Sequence, residues 1–125
     1  MQRVPTISNA EWEVMKVIWD RPSATAAQVV AQLAGHKAWK EGTVKTLLNR
    51  LVKKGVLEFE AQGKSYIYRA VVSRKSVVRQ ESQSFLHRVF GGEAGAMLVH
   101  LTRSARLSDD EIAELRKILN SKREE

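Results

Sequence analysis

The chain has 125 residues, with 21 Lys plus Arg against 14 Asp plus Glu, a formal charge of +7 and no cysteine. That length holds one compact unit or two very small ones rather than a multi-domain enzyme, and the missing thiols exclude disulfide scaffolds, zinc fingers, iron–sulfur sites and thiolate nucleophiles. The cation excess favours a polyanionic partner, because clustered Lys and Arg attract phosphates and release condensed counterions.

The charge is uneven. Residues 1–74 carry 12 basic and 6 acidic side chains, a net +6, whereas residues 75–125 carry 9 and 8, a net +1. A basic part and a near-neutral part suggest two jobs. No apolar run approaches the roughly 18 residues that a membrane span needs, and Met1–Thr6 holds no apolar signal core. The expectation is a cytoplasmic protein without membrane insertion.

In chain order, Ser8-Asn9-Ala10-Glu11 has the form of a capping box, and Trp12, Val14, Met15, Ile18 and Trp19 follow at helical spacing. Pro22 ends this first helix. Thr25-Ala26-Ala27-Gln28 is a second capping box, opening a short helix with Val29, Val30 and Leu33 that Gly35 is expected to stop. After a loop from His36 to Lys40, residues 41–55 are the most informative stretch. Val44, Leu47, Leu48, Leu51 and Val52 form one apolar stripe, and Gly55 is a natural terminator. Val56–Ala61 and Ser65–Val71 alternate apolar and polar residues about Gln62-Gly63-Lys64, which predicts a hairpin.

The rest reads as helical. Val77, Val78, Phe85, Val89 and Phe90 stripe a segment from about Ser73 to Phe90, ended by Gly91-Gly92. Ala96, Met97, Leu98 and Leu101 mark a short apolar helix. Ser108-Asp109-Asp110-Glu111 opens a last helix striped by Ile112, Leu115, Ile118 and Leu119. The predicted fold is mainly α with a small β-hairpin: a winged helix-turn-helix DNA-binding domain over 1–72 and a three-helix dimerisation domain over 73–125. Three amphipathic helices with few aromatics make a thin core alone. Pairing with a second copy through Val77, Phe85, Val89, Met97, Leu101, Ile112, Leu115 and Leu119 would complete it.

The third helix carries the candidate chemistry. A lysine-rich helix face is usually only a solvated surface, but here the cations accompany Thr and Asn on the third helix of a winged-helix pattern, and a cationic wing follows. Asn49 and Arg50 are the residue types that pair bidentately with adenine and guanine edges, and Thr43, Lys45 and Thr46 can reach bases or phosphates. Lys53 extends the same face. Lys64 at the wing tip is a candidate phosphate contact, and the helix starts at Thr25 and Gly42 offer free amides. Trp12 and Trp19 are expected in the core, whereas Trp39, in the loop beside the helix with Lys40, is a candidate backbone contact.

Nothing here suggests catalysis. His36, His87 and His100 show no ligand spacing, and no nucleophile elbow, phosphate loop or dinucleotide fingerprint is present. Neither a metal nor a cofactor is expected, and the protein is expected not to be an enzyme.

Three stretches resemble one family: Ile7-Ser8-Asn9-Ala10-Glu11-Trp12-Glu13-Val14-Met15, then Thr43-Val44-Lys45-Thr46-Leu47-Leu48-Asn49-Arg50-Leu51 with Lys53-Lys54-Gly55, and Leu107-Ser108-Asp109-Asp110-Glu111-Ile112. In this order they are similar to the penicillinase-repressor (BlaI/MecI) family over almost the whole chain. The resemblance implies a homodimeric bacterial repressor on double-stranded, pseudo-palindromic operators before β-lactamase-type resistance genes. It implies induction by a membrane sensor metalloprotease, or a protease it activates, with cleavage in the dimerisation domain. The family's scissile Asn-Phe pair corresponds to His100-Leu101, and its Ser or Thr after the Trp to Lys40. Copper-responsive relatives carry cysteine pairs, which this chain lacks. Two alternatives stand beside the repressor: a winged-helix module for protein–protein assembly, and a repressor released by a small ligand.

Overall fold

The computed structural model describes residues 5–124; residues 1–4, on which part of the reading of Met1–Thr6 rests, lie outside it. Six helices and one antiparallel hairpin occupy the described residues: α1 Asn9–Asp20, α2 Ala26–Leu33, α3 Glu41–Lys53, β1 Leu57–Gln62, β2 Ser65–Ala70, α4 Arg74–Phe90, α5 Ala94–Ser104 and α6 Asp109–Arg123. The mainly helical expectation holds, and α1–α3 with the hairpin form the winged helix-turn-helix.

Local chemistry sets the helix ends. The Ser8 amide donates to Glu11 Oε1 at 2.8 Å while the Glu11 amide donates to Ser8 Oγ at 3.2 Å. Thr25 with Gln28 and Ser108 with Glu111 repeat this reciprocal cap, which satisfies amides that have no intrahelical partner. At the end of α3, Gly55 takes φ +77°. The Val56 amide then reaches the Leu51 carbonyl and the Gly55 amide the Val52 carbonyl, both at 3.0 Å, closing the helix in a Schellman motif. Gly35 acts differently from expectation. Helix α2 already ends at Leu33, whose carbonyl accepts from His36 and Lys37, and Gly35 does not enter the left-handed region.

In the hairpin, Gln62 pairs with Ser65 across Gly63-Lys64. Gly63 at φ +63° gives the turn its type II′ form, whose twist matches the strands. A bridge between Ala24 and Tyr68, with bonds of 3.1 and 2.9 Å, ties the hairpin to the segment before α2.

Two compact units divide the chain, one ending at Gln83 and one starting at Ser84, so the division falls within α4. In the first, which we call the head, Val14, Met15, Ile18, Val29, Val44, Leu48, Leu51 and Val56 form a continuous core. Val77 is also in it, at 0% exposure. The first turn of α4 therefore packs as part of the head, and the division at 83/84 lies eleven residues beyond the 72/73 boundary expected from the predicted elements. Trp12 and Trp19 pack against this core edge to face, 5.5 Å apart, and Trp19 Nε1 donates to the Val72 carbonyl at 3.1 Å. In the second unit few apolar side chains are covered: Leu86 is buried, whereas Phe85, Val89, Leu98, Leu101, Ile112, Ile118 and Leu119 are exposed.

Candidate nucleic-acid interface

Burial of Val44, Leu47, Leu48 and Leu51 fixes how α3 is turned. At 3.6 residues per turn, the opposite face must then carry Thr43, Lys45, Thr46, Asn49, Arg50 and Lys53, and all six are exposed. The side chains of Asn49, Arg50 and Lys53 make no hydrogen bond or ion pair among the described residues, so their donors are free for a ligand. Thr46 Oγ1 donates to the Gly42 carbonyl at 3.0 Å, which leaves its oxygen as an acceptor only. Lys45 Nζ lies 3.6 Å from Glu41 Oε1, one turn before it.

The start of α3 is open. Lys40 occupies its N-cap, where a donor-only ammonium cannot accept the helix amides, and it makes no side-chain hydrogen bond or ion pair among the described residues. A Cβ added at Gly42 would meet nothing within 4 Å; packing does not demand glycine there, and its absence leaves bare backbone at the surface.

Between the start of α2, the exposed face of α3 and the wing runs a cleft of about 280 Å³, lined by Thr25, Ala26, Ala27, Glu41, Lys45, Asn49, Lys64, Ser65, Tyr66 and Tyr68. Four of the sequence candidates, Thr25, Lys45, Asn49 and Lys64, thus converge from three elements. Thr25 Oγ1 accepts the Gln28 amide at 3.2 Å and retains its own proton to donate.

Other candidates lie elsewhere. Trp39 is half-buried against the core, with Lys37 Nζ 5.8 Å from its ring centre, so its ring is mostly committed to packing. Two further cations of the head are also engaged. Lys54 bonds Glu11 and the Thr6 carbonyl, and Arg69 is held by Glu58 at 3.4 Å and Glu60 at 3.3 Å.

Glu41, Ser65 and Tyr66 line the cleft without having been singled out from the sequence. The signal for Tyr66 was present: period-two alternation places it on the same face of β2 as Tyr68, which is buried. Phe59 steadies the Tyr66 ring edge to face at 5.1 Å. Burial, and then the neighbouring Tyr66, hold the Tyr68 phenol above its usual range, so it stays a neutral hydroxyl.

Of the residues expected at a pairing surface, Val77 departs: its side chain is already buried in its own chain's head. Phe85, Val89, Leu101, Ile112 and Leu119 are exposed, with Met97 and Leu115 half-buried. His100 and Leu101 are exposed on α5, the His100 ring 6.1 Å from Phe90. No group of three His, Asp or Glu side chains suited to a metal occurs among the described residues.

The family profile described as penicillinase repressor matches residues 7–121. The chain is similar to the penicillinase repressor of Bacillus licheniformis, 36% identical over 119 residues, covering 95% of this chain and 93% of that one. It is similar to the methicillin resistance regulatory protein MecI of Staphylococcus aureus (strain N315), 35% identical over 116 residues, covering 93% and 94%. Among solved structures, that of Bacillus licheniformis BlaI in its monomeric form in complex with the blaP half-operator is 37% identical with a TM-score of 0.51, covering 60% of this chain and 92% of that one.

Proposed function

The chain belongs to the penicillinase repressor family, and from that premise we propose that it is a homodimeric transcriptional repressor of resistance-type genes, acting in the cytoplasm on a pseudo-palindromic operator. One observation carries the reading: the uncommitted face of α3 continues into a cleft where Thr25, Lys45, Asn49 and the wing Lys64 converge. A recognition helix lies in the major groove while a wing and helix starts take the backbone. In this arrangement Asn49, Arg50, Thr43 and Thr46 face bases; Thr25, Lys40, Gly42, Lys53 and Lys64 anchor phosphates, and Lys45 serves either. Trp39 supports the start of α3 from the core side. The similar BlaI structure, in complex with a half-operator, supports DNA as the ligand.

A dimer with two-fold symmetry should mirror itself in its site. Titrating the full chain against an inverted repeat at several salt concentrations is the test. The log-affinity should fall with log salt by roughly 0.9 for each phosphate neutralised. A salt-independent affinity, or equal binding to a single half-site, refutes the reading.

Arg50→Ala and Lys64→Ala are expected to fail differently. Loss of a base-reading Arg50 should cost about 1–3 kcal/mol on the operator and relax preference at one position. Loss of Lys64 should weaken specific and random DNA alike and reduce the salt slope by about one. Equal losses on both duplexes for Arg50→Ala would instead make it a phosphate anchor.

The exposed apolar side chains of α4–α6 support pairing with a second copy, since a chain this small rarely leaves so many uncovered. Release from DNA is proposed to follow a cut within Val99–Thr102, between His100 and Leu101, made by a membrane sensor metalloprotease or a protease it activates. Such a cut separates α6 from α4, and neither fragment keeps the full set of apolar contacts. Mass spectrometry of the protein from induced cells should find the new termini there. Intact chain off its operator, or a cut outside 95–106, overturns this route.

A further inference from the structure

We infer that Glu41 is a specificity-determining residue, whose carboxylate disfavours DNA in general and is tolerated only where a base edge offers it an amino donor. The inference rests on the DNA-binding reading above. Glu41 opens α3 and lines the cleft beside Lys45, Asn49 and Lys64; among the described residues lining that cleft it is the one carboxylate.

A negative charge in the first turn of a helix is locally favourable, which accounts for a Glu in α3 but not for its facing the surface offered to a polyanion. There it has two effects. A duplex pressed into the cleft brings phosphates towards the carboxylate, a like-charge contact that no sequence of bases relieves. While Glu41 sits 3.6 Å from Lys45, that lysine also presents a neutral pair rather than a free cation.

The pair itself is weak, because both side chains are more than half exposed, so it can part when something better is offered. In the major groove the partner for a carboxylate is an exocyclic amino group, the N4 of cytosine foremost. A site presenting one there recovers the electrostatic cost and frees Lys45 for a phosphate or base; other sites recover neither. Glu41 therefore lowers affinity for random DNA more than affinity for the operator.

The test uses the full chain, the duplex it selects from random sequences, and a random duplex of equal length. Glu41→Gln keeps the shape and removes the charge; Glu13→Gln removes the same charge from α1, outside the cleft. E41Q is expected to bind the random duplex several-fold more tightly, with a salt slope steeper by about 0.9 as Lys45 gains one phosphate. The ratio of specific to random affinity should fall about tenfold, the size of one weakened base position, and a repeated selection should lose preference at one base pair. Equal changes on both duplexes, no change, or the same changes in E13Q overturn the inference. A wild-type chain that selects no duplex refutes the DNA-binding reading and this inference with it, whereas a wild-type preference that E41Q retains in full refutes the role of Glu41 alone.

Discussion

Shortened to residues 1–83, the protein should bind its full operator about 10²–10⁴-fold more weakly than the intact chain, yet bind a single half-site equally well. The head has its own continuous core, closed by Val77 at 0% exposure, so it should fold without the second unit. Every proposed DNA contact stays with it. What leaves is the exposed apolar surface of Phe85, Val89, Leu101, Ile112 and Leu119, and with it the proposed pairing that would turn the second half-site contact into an intramolecular event. A cut at residue 72 should behave worse. Burying a Val contributes roughly 1.5–3 kcal/mol, and without Val77 part of the lost binding becomes lost folding. Fluorescence anisotropy on half and full sites, with thermal melts of both fragments, separates the two losses. If the 1–83 fragment matches the intact chain on the full site, the division of labour is wrong.

Which features could be read from the sequence follows how local their causes are. The capping boxes at Ser8, Thr25 and Ser108, the closing glycine at 55 and the Gly63 turn each depend on residues within a few positions, and all stand as their chemistry dictates. The exposed face of α3 was equally legible, since the buried stripe of the helix leaves only one side for Lys45, Asn49 and Arg50. Periodicity shows that a face is apolar but not what covers it. Val77 shares a stripe with Phe85 and Val89, but its cover is the head of its own chain. Tyr66 and Glu41 become cleft residues only once the hairpin is docked beside α2 and α3, a placement set partly by the Ala24–Tyr68 bridge across 44 positions. Trp39 looked available because it lies in a loop, and only packing shows its ring engaged.

Glu11 has a second role that the capping box did not reveal, and it predicts an asymmetric loss of stability. Its side chain is 2% exposed, and its carboxylate takes the Lys54 ammonium from 43 residues away at 2.5 Å, besides the Ser8 amide. Lys54→Met should cost about 3–5 kcal/mol at neutral pH, because it strands a buried carboxylate that cannot reach water. Glu11→Gln should cost less, about 1–3 kcal/mol, since the partly exposed Lys54 can turn its ammonium to solvent. Replacing both by apolar residues, Glu11→Leu with Lys54→Met, should recover most of the larger loss.

The pH dependence follows from the same geometry. Burial alone would push the Glu11 carboxyl up, but Lys54 and the Ser8 hydrogen bonds outweigh it and hold the group below its ordinary value. A depressed folded-state value means the unfolded chain binds the proton more readily. The stabilisation is therefore complete above the ordinary glutamate range and is lost as pH falls through the lower folded value. In Lys54→Met the main opposing charge is gone, so the folded-state value of the carboxyl rises above that of the wild type, and acidification should narrow the gap to the wild type by neutralising the stranded carboxylate. Chemical denaturation of the wild type and both single variants from neutral pH down through the glutamate range measures this. Equal losses for the two single variants, or a gap between Lys54→Met and the wild type that stays constant with pH, would show that the pair contributes only packing.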